Sequence, residues 1–200
     1  MKIFSFSEFI NESLGKAIRV FVDLDGVLAD FDRGFRNLVD NHEKLSADDY
    51  EKKYGKEQFW ALISKNGESF YENLDWKSDG RMLWDYVKRY RPIVLTSPSQ
   101  DKTSVTGKTK WVRRYLLINE DPVRNPKYFQ PGHHLIIDSD KYKYAQFETD
   151  ILIDDTEEKI KKWTEAGGTG IIHTDSKSTI QLLEQVIEKL MPKKEKEEDL

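Results

Sequence analysis

The chain contains no cysteine, which removes disulfides, thiolate catalysis and Cys-based zinc sites and fits a reducing cytoplasm. Long apolar runs are missing too, and none approaches the roughly 20 residues that a membrane-spanning helix needs. The first residues show neither the basic start, the apolar middle nor the small-residue cleavage site of a secretory signal. There is no excess of positive charge: 32 basic and 36 acidic residues give a net charge of −4, which argues against broad nucleic-acid binding. Basic residues do outnumber acidic ones between Lys77 and Lys127, either to draw in an anionic substrate or simply as solvated helix faces. With 38% hydrophobic and 34% charged residues, the 200-residue chain has enough apolar material for one domain with an inserted subdomain.

Against this background, Arg19 to Phe31 stands out. Ile18, Val20, Phe21 and Val22 have the β-branched and aromatic character of a buried parallel strand, which ends in Asp23-Leu24-Asp25-Gly26. Two carboxylates thus arrive at a strand's carboxyl end, where open α/β sheets bind ligands. Strand alternation sends Asp23 and Asp25 the same way, and Gly26 permits a tight turn and close approach of backbone to a ligand. Like charges this close persist most easily with a cation between them, most simply Mg²⁺, a hard ion that takes oxygen ligands. The bland alternative is an Asp-rich surface turn. A second apolar run, Asp150 to Asp155, also ends in paired carboxylates, Asp154 and Asp155.

The remaining pattern alternates helices and strands. Phe31, Phe35, Leu38 and Val39 form one helical stripe, Ser46-Ala47-Asp48-Asp49 has the form of a capping box, and Phe59-Trp60 and Phe70-Tyr71 follow. The aromatics of this region suit either a nucleoside pocket or a core of their own, and the core is the better account of any single one. A helix over 79–90 leads to a strand, Ile93-Val94-Leu95, ending in Thr96-Ser97, hydroxyls able to hydrogen-bond phosphate without adding charge. Thr106-Gly107-Lys108-Thr109 mimics the end of a phosphate-binding loop, but Lys102 stands where that loop needs glycine, so Lys108 to Leu117 is read as a helix. A third strand is expected over 133–138. Adjacent residues on a strand face opposite ways, so His133 and His134 are read as structural rather than as zinc ligands. A helix through Ile160 and Trp163, closed by Gly167-Gly168, precedes a strand over 170–173 and a helix over 178–190.

Asp23-Leu24-Asp25-Gly26-Val27-Leu28-Ala29-Asp30 resembles the first motif of the haloacid dehalogenase (HAD) superfamily of aspartate-dependent phosphohydrolases. Thr96, a lysine in Ser139-Asp140-Lys141-Tyr142-Lys143-Tyr144-Ala145, and Asp154-Asp155 fall in order at the places of its second, third and fourth motifs. Within the superfamily, the first motif together with Phe59-Trp60, Thr96-Ser97-Pro98, Trp111-Val112 and Leu152-Ile153-Asp154-Asp155 looks like the 5′(3′)-deoxyribonucleotidases. The long segment from Asn119 to His133 and the register of the motif-three lysine depart from that pattern.

The resemblance implies an α/β fold: a HAD-like, Rossmann-like three-layer α/β/α parallel sheet with a small helical cap inserted after the first strand. The core would take 17–30 and 81–191 and the cap 31–80, with a leader or extra helix over 1–16 and a charged tail over 192–200. It implies Asp23 as nucleophile, Asp25 as general acid and base, and Mg²⁺ held by Asp23, Asp25 through its carbonyl, Asp154 and Asp155. Thr96, Ser97 and Lys141 would hold phosphate, with Lys143 as the fallback for Lys141, and Phe31, Phe59 and Trp60 would face sugar and base. The expected substrate is a nucleoside monophosphate. Alternatives are another phosphoester, such as a nucleic-acid 3′-phosphate, or a non-catalytic HAD-like protein. Phe6 to Glu12 also resembles the leader of internal head proteins of large myovirus-type phages, cut after an Ile-x-Glu such as Ile10-Asn11-Glu12, which would place the chain in a host cytoplasm or a virion. The oligomeric state is left open, a homodimer included.

Overall fold

The computed structural model describes residues 17–39, 45–116 and 135–191. The expectations for the leader, for His133 and His134, for the segment from Asn119 to His133 and for the charged tail lie outside the described residues. Five strands, β1 (Arg19–Val22), β2 (Ile93–Thr96), β3 (Leu135–Ile137), β4 (Asp150–Asp154) and β5 (Thr169–Ile172), form one parallel sheet in the order β3-β2-β1-β4-β5. β1 is central, and both carboxylate-bearing strands lie side by side, with Val22 opposite Ile153. Arg19 pairs bidentately with the buried Asp150 across these two strands, at 2.5 and 2.7 Å, and so locks their register at the end remote from the site.

Alternation along the strands sorts the apolar residues onto two faces. Val20, Val22, Val94, Ile151 and Ile153 share one cluster with Leu83, Val87, Trp111 and Leu183 of α4 (Gly80–Val87), α5 (Thr103–Leu116) and α7 (Ser176–Leu190). Phe21, Leu95 and Leu152 pack on the other face against Trp163 of α6 (Glu157–Glu165). The result is a sheet flanked by helices on both sides, the α/β architecture expected from the sequence. None of its described helices is long and apolar enough to cross a membrane.

Between β1 and β2 the chain forms α1 (Phe31–Leu38), α2 (Ala47–Tyr54) and α3 (Lys56–Glu72). Local signals start and stop these elements. Asp30 caps α1 by accepting from the Arg33 amide at 3.0 Å, and Ser46 Oγ accepts from the Asp49 amide at 3.1 Å to open α2. α6 ends in paired bonds from the Gly167 amide to Thr164 and from the Gly168 amide to Trp163, with Gly167 at φ 103°. α3 bends at Gly67 and lies along α5, where Gly107 allows near-contact of backbones: a Cβ there would meet Glu68 O at 2.5 Å and Tyr71 Cβ at 2.7 Å. α5 begins at Thr103 rather than at Lys108, because Asp101 Oδ1 accepts from the Thr103 amide at 2.9 Å and so starts the helix five residues earlier.

Candidate active site

The carboxyl ends of β1, β2 and β4 open into a cavity of about 510 Å³. Asp23 follows β1 directly and Asp154 closes β4, with the Asp23 amide donating to Ile153 O at 2.9 Å. Carboxylate oxygens of Asp23, Asp154 and Asp155 lie within 4.8 Å of one another. Gly26 shapes this cluster: at φ 76°, it leaves the space into which the Asp155 carboxylate projects, since a Cβ on Gly26 would lie 1.9 Å from Asp155 Oδ2. The close approach expected at Gly26 is therefore made by the second acidic pair.

Lysines hold these carboxylates. Lys141, 2% exposed, stands 2.8 Å from Asp23 Oδ1 and 2.6 Å from Asp154 Oδ2. Lys159 of α6 lies 3.8 Å from Asp23 Oδ2. Burial pushes the Asp23 carboxyl up, but Lys141, Lys159 and Lys108 outweigh it and hold it below the ordinary range. Burial and the charge of Asp23 push Asp154 up, and burial together with Asp23 and Asp154 pushes Asp155 up to about 6. Burial would lower Lys159, yet the facing carboxylates keep it raised. Two carboxylates held up by burial and by the charge of Asp23, all three offering oxygens to one point, form a donor set of the kind that a hard divalent cation takes.

The geometry separates the residues singled out by sequence. Asp23, Asp25, Thr96, Ser97, Phe31, Trp60 and Asp155 all line the cavity. Asp25 belongs to it differently from Asp23: its carboxylate lies outside the acidic cluster and pairs with Lys108 at 2.7 Å. Lys143 is not brought to the cavity but is half exposed, 2.8 Å from Asp140 and 3.9 Å from Asp138. The short 3-10 turn over Lys141–Tyr144 points the two lysines apart, which removes Lys143 as the fallback. Phe59 is also corrected: it is buried among Phe31, Phe35 and Trp60, with ring centroids 6.4, 4.7 and 4.9 Å away, and does not line the cavity.

Sequence reasoning missed Lys77, Lys108 and Lys159, which also line the cavity, as does Tyr71 of the aromatic region. Lys77 donates to Gly26 O at 2.6 Å and so braces the turn after β1. A signal existed for two of them: Lys108 falls on the stripe of Ser104, Gly107, Trp111 and Val112, and Lys159 lies one turn before Trp163. A lysine on the buried stripe of a helix needs a buried acceptor.

No family model matches the chain, and no curated protein matches its sequence. Among solved structures, a hydrolase from Streptococcus pneumoniae TIGR4 aligns over 84% of this chain and 99% of its own, at 13% identity and a TM-score of 0.51. A HAD-superfamily hydrolase from Ehrlichia chaffeensis aligns over 84% and 97%, at 14% identity and a TM-score of 0.46. The sheet topology and the likeness to the Streptococcus pneumoniae hydrolase together define a parallel α/β fold.

Proposed function

We propose that this protein is a Mg²⁺-dependent phosphatase of the HAD type, acting on nucleoside monophosphates and within them on 5′(3′)-deoxyribonucleotides. The observation that carries this is the meeting of Asp23 and Asp155, with Asp154 buried behind them, at a cavity that also bears Thr96, Ser97, Phe31 and Trp60. A cavity of about 510 Å³ is of the size that encloses a small ligand. Mg²⁺ would be held by Asp23, Asp154, Asp155 and the backbone carbonyl of Asp25, and when bound it supplies the positive charge that lets a carboxylate approach a phosphate.

The protein's own groups supply the rest. Asp23 forms a bond to phosphorus as the bond from phosphorus to the sugar oxygen breaks, giving an aspartyl-phosphate. Asp25 gives a proton to the departing oxygen and then takes one from the water that displaces Asp23 from phosphorus. Ser97 Oγ, buried without a hydrogen-bond partner among the described residues, and the Thr96 hydroxyl, which accepts from Lys108 and keeps its own proton free, donate to phosphate oxygens. Lys141 offsets charge on Asp23 throughout. Phe31 and Trp60 supply flat apolar surface for sugar and base, and an apolar wall against C2′ would cost a ribose hydroxyl about 1 to 3 kcal/mol in lost hydrogen bonds.

Asp32 and Asp48 stand at the cavity lining on the helical side, and negative charge there favours a mononucleotide over a polyanionic strand end. Release of phosphate from dUMP, dTMP, UMP and a 3′-phosphorylated oligonucleotide, each with Mg²⁺ and with EDTA, tests the assignment. Mg²⁺-dependent turnover of dUMP and dTMP above UMP is expected. Preference for the oligonucleotide would move the substrate to nucleic-acid ends, and no release from any of them would end the phosphatase assignment. The absence of cysteine fits action in a reducing cytoplasm, a host's included.

A further inference from the structure

Lys108 is a deeply buried cation at the cavity to which the chemistry above gives only the hydrogen bond to Thr96. It is 3% exposed, and its ammonium meets Asp25 Oδ2 at 2.7 Å, Thr96 Oγ1 at 3.1 Å and Ser97 O at 2.6 Å. The Tyr71 ring lies beside it, with the centroid 5.6 Å from Nζ. Three N–H groups thus find three acceptors, the condition under which a lysine is retained in a protein interior. Each acceptor belongs to a different piece of the site: Asp25 to the turn after β1, Thr96 to the end of β2, Ser97 to the loop beyond it. The lysine itself is held rigidly, because Gly107 beside it brings α5 against the backbone of α3.

The two oxygens of Asp25 are consequently unequal. Oδ2 is anchored, whereas Oδ1 is buried, has no hydrogen-bond partner among the described residues and belongs to a residue lining the cavity. We propose that Lys108 is a positioning residue that grips Asp25 by one oxygen and so presents the other for proton exchange with the leaving group. The proposal rests on the phosphatase assignment above. In the first half-reaction the proton on Oδ1 passes to the sugar oxygen as its bond to phosphorus breaks, and the resulting carboxylate stays paired with Lys108. In the second, that carboxylate takes a proton from water as the water oxygen bonds to phosphorus. Lys108 keeps its three protons in both.

A proton-donating arm matters for a sugar alkoxide and hardly at all for p-nitrophenolate, which departs unprotonated. The test therefore compares dUMP with p-nitrophenyl phosphate in the full-length protein with Mg²⁺. Lys108→Met is expected to lower kcat/KM for dUMP by about 100-fold. kcat/KM for p-nitrophenyl phosphate, which ends with departure of nitrophenolate and so leaves out hydrolysis of the shared aspartyl-phosphate, should change by less than about threefold. Lys108→Arg, which restores a cation, should recover about tenfold of the loss. Should Lys108→Met fail to fold, Lys108→Gln, which keeps two N–H donors and drops the charge, takes its place in the same comparison. Equal losses of kcat/KM on both esters, or no loss on either, would overturn the proposal. A wild-type protein inert towards both esters would instead remove the phosphatase assignment itself, which keeps the two failures apart.

Discussion

The floor and the roof of the cavity hold their side chains by different physical means. On the floor and just beneath it, Asp23, Thr96 and Asp154 at strand ends, Lys108 on α5 and Lys141 in its 3-10 turn are buried and tied by ion pairs and hydrogen bonds of 2.6 to 3.1 Å. On the roof, Phe31 meets Phe70 edge-on at 5.3 Å, and Trp60 leans on Phe59 at 4.9 Å. Floor contacts are directional and carry charge, so a small displacement costs much. Roof contacts are apolar and non-directional, so they can be re-cut without loss of the fold. Under the proposed function the chemistry belongs to the floor and the choice of substrate to the roof.

The sharpest way to break that division is Asp23→Asn, which keeps shape and removes the nucleophilic charge. Turnover of dUMP should fall by at least about 10⁴-fold while circular dichroism stays unchanged. Near-normal Mg²⁺-dependent turnover would mean that the floor does not supply the nucleophile. Lys141→Met attacks the same floor through stability. It leaves Asp23 and Asp154 buried without their shared cation, and breaking a buried pair costs about 3 kcal/mol or more. The melting temperature should drop by roughly 6 °C or more, whereas Lys143→Met, at an exposed pair, should move it by less than about 2 °C.

Floor and roof also differ in how far they can be read from the sequence. Asp23, Thr96 and Asp154 come from β-branched runs that stop abruptly at polar residues, and a parallel strand buried on both faces has few other ways to look. The order of the strands brings those ends together, so local pattern and chemistry coincide. Lys108 and Lys159 are far harder to read, for the opposite reason. A helical lysine is ordinarily a surface residue, and only its place on a stripe with Trp111 or Trp163 marks it as turned inward. On the roof, Phe59 and Trp60 are adjacent on α3, so their side chains leave the helix about 100° apart and only one of them faces the cavity. Which one it is depends on how α3 packs along α5, a tertiary fact set at Gly107 and invisible in the dipeptide.

Trp60→Phe probes the roof at lower cost. Trp60 Nε1 is buried with no hydrogen-bond partner among the described residues and belongs to a cavity-lining side chain, so it is placed to donate to a substrate acceptor. Losing that one bond should raise KM for dUMP by about tenfold and leave kcat and the melting temperature within about twofold and 2 °C. A fall in kcat with KM unchanged would assign Trp60 to the chemistry and erase the contrast between the two walls.

The smallest effect expected is in how Mg²⁺ stabilises the floor as pH changes. Burial, Asp23 and Asp154 push Asp155 from 3.8 up to about 6, and a carboxyl raised on folding contributes stability in acid that is lost as pH rises from about 4 through about 6. Asp23, held low, acts with the opposite sign: its contribution is present above the ordinary carboxylate range and lost as pH falls below it. Between pH 5 and 7.5 the metal-free protein therefore loses stability through Asp155, and a divalent cation restores it because it occupies the place of the proton. Thermal unfolding with Mg²⁺ or EDTA should show a metal-induced rise in melting temperature about 2 to 4 °C larger at pH 7.5 than at pH 5. Asp155→Asn should flatten that difference and, without metal, raise the melting temperature at pH 7.5. Equal Mg²⁺ shifts at both pH values in the wild-type protein would mean that the cation binds away from Asp155 and that the acidic floor serves another purpose.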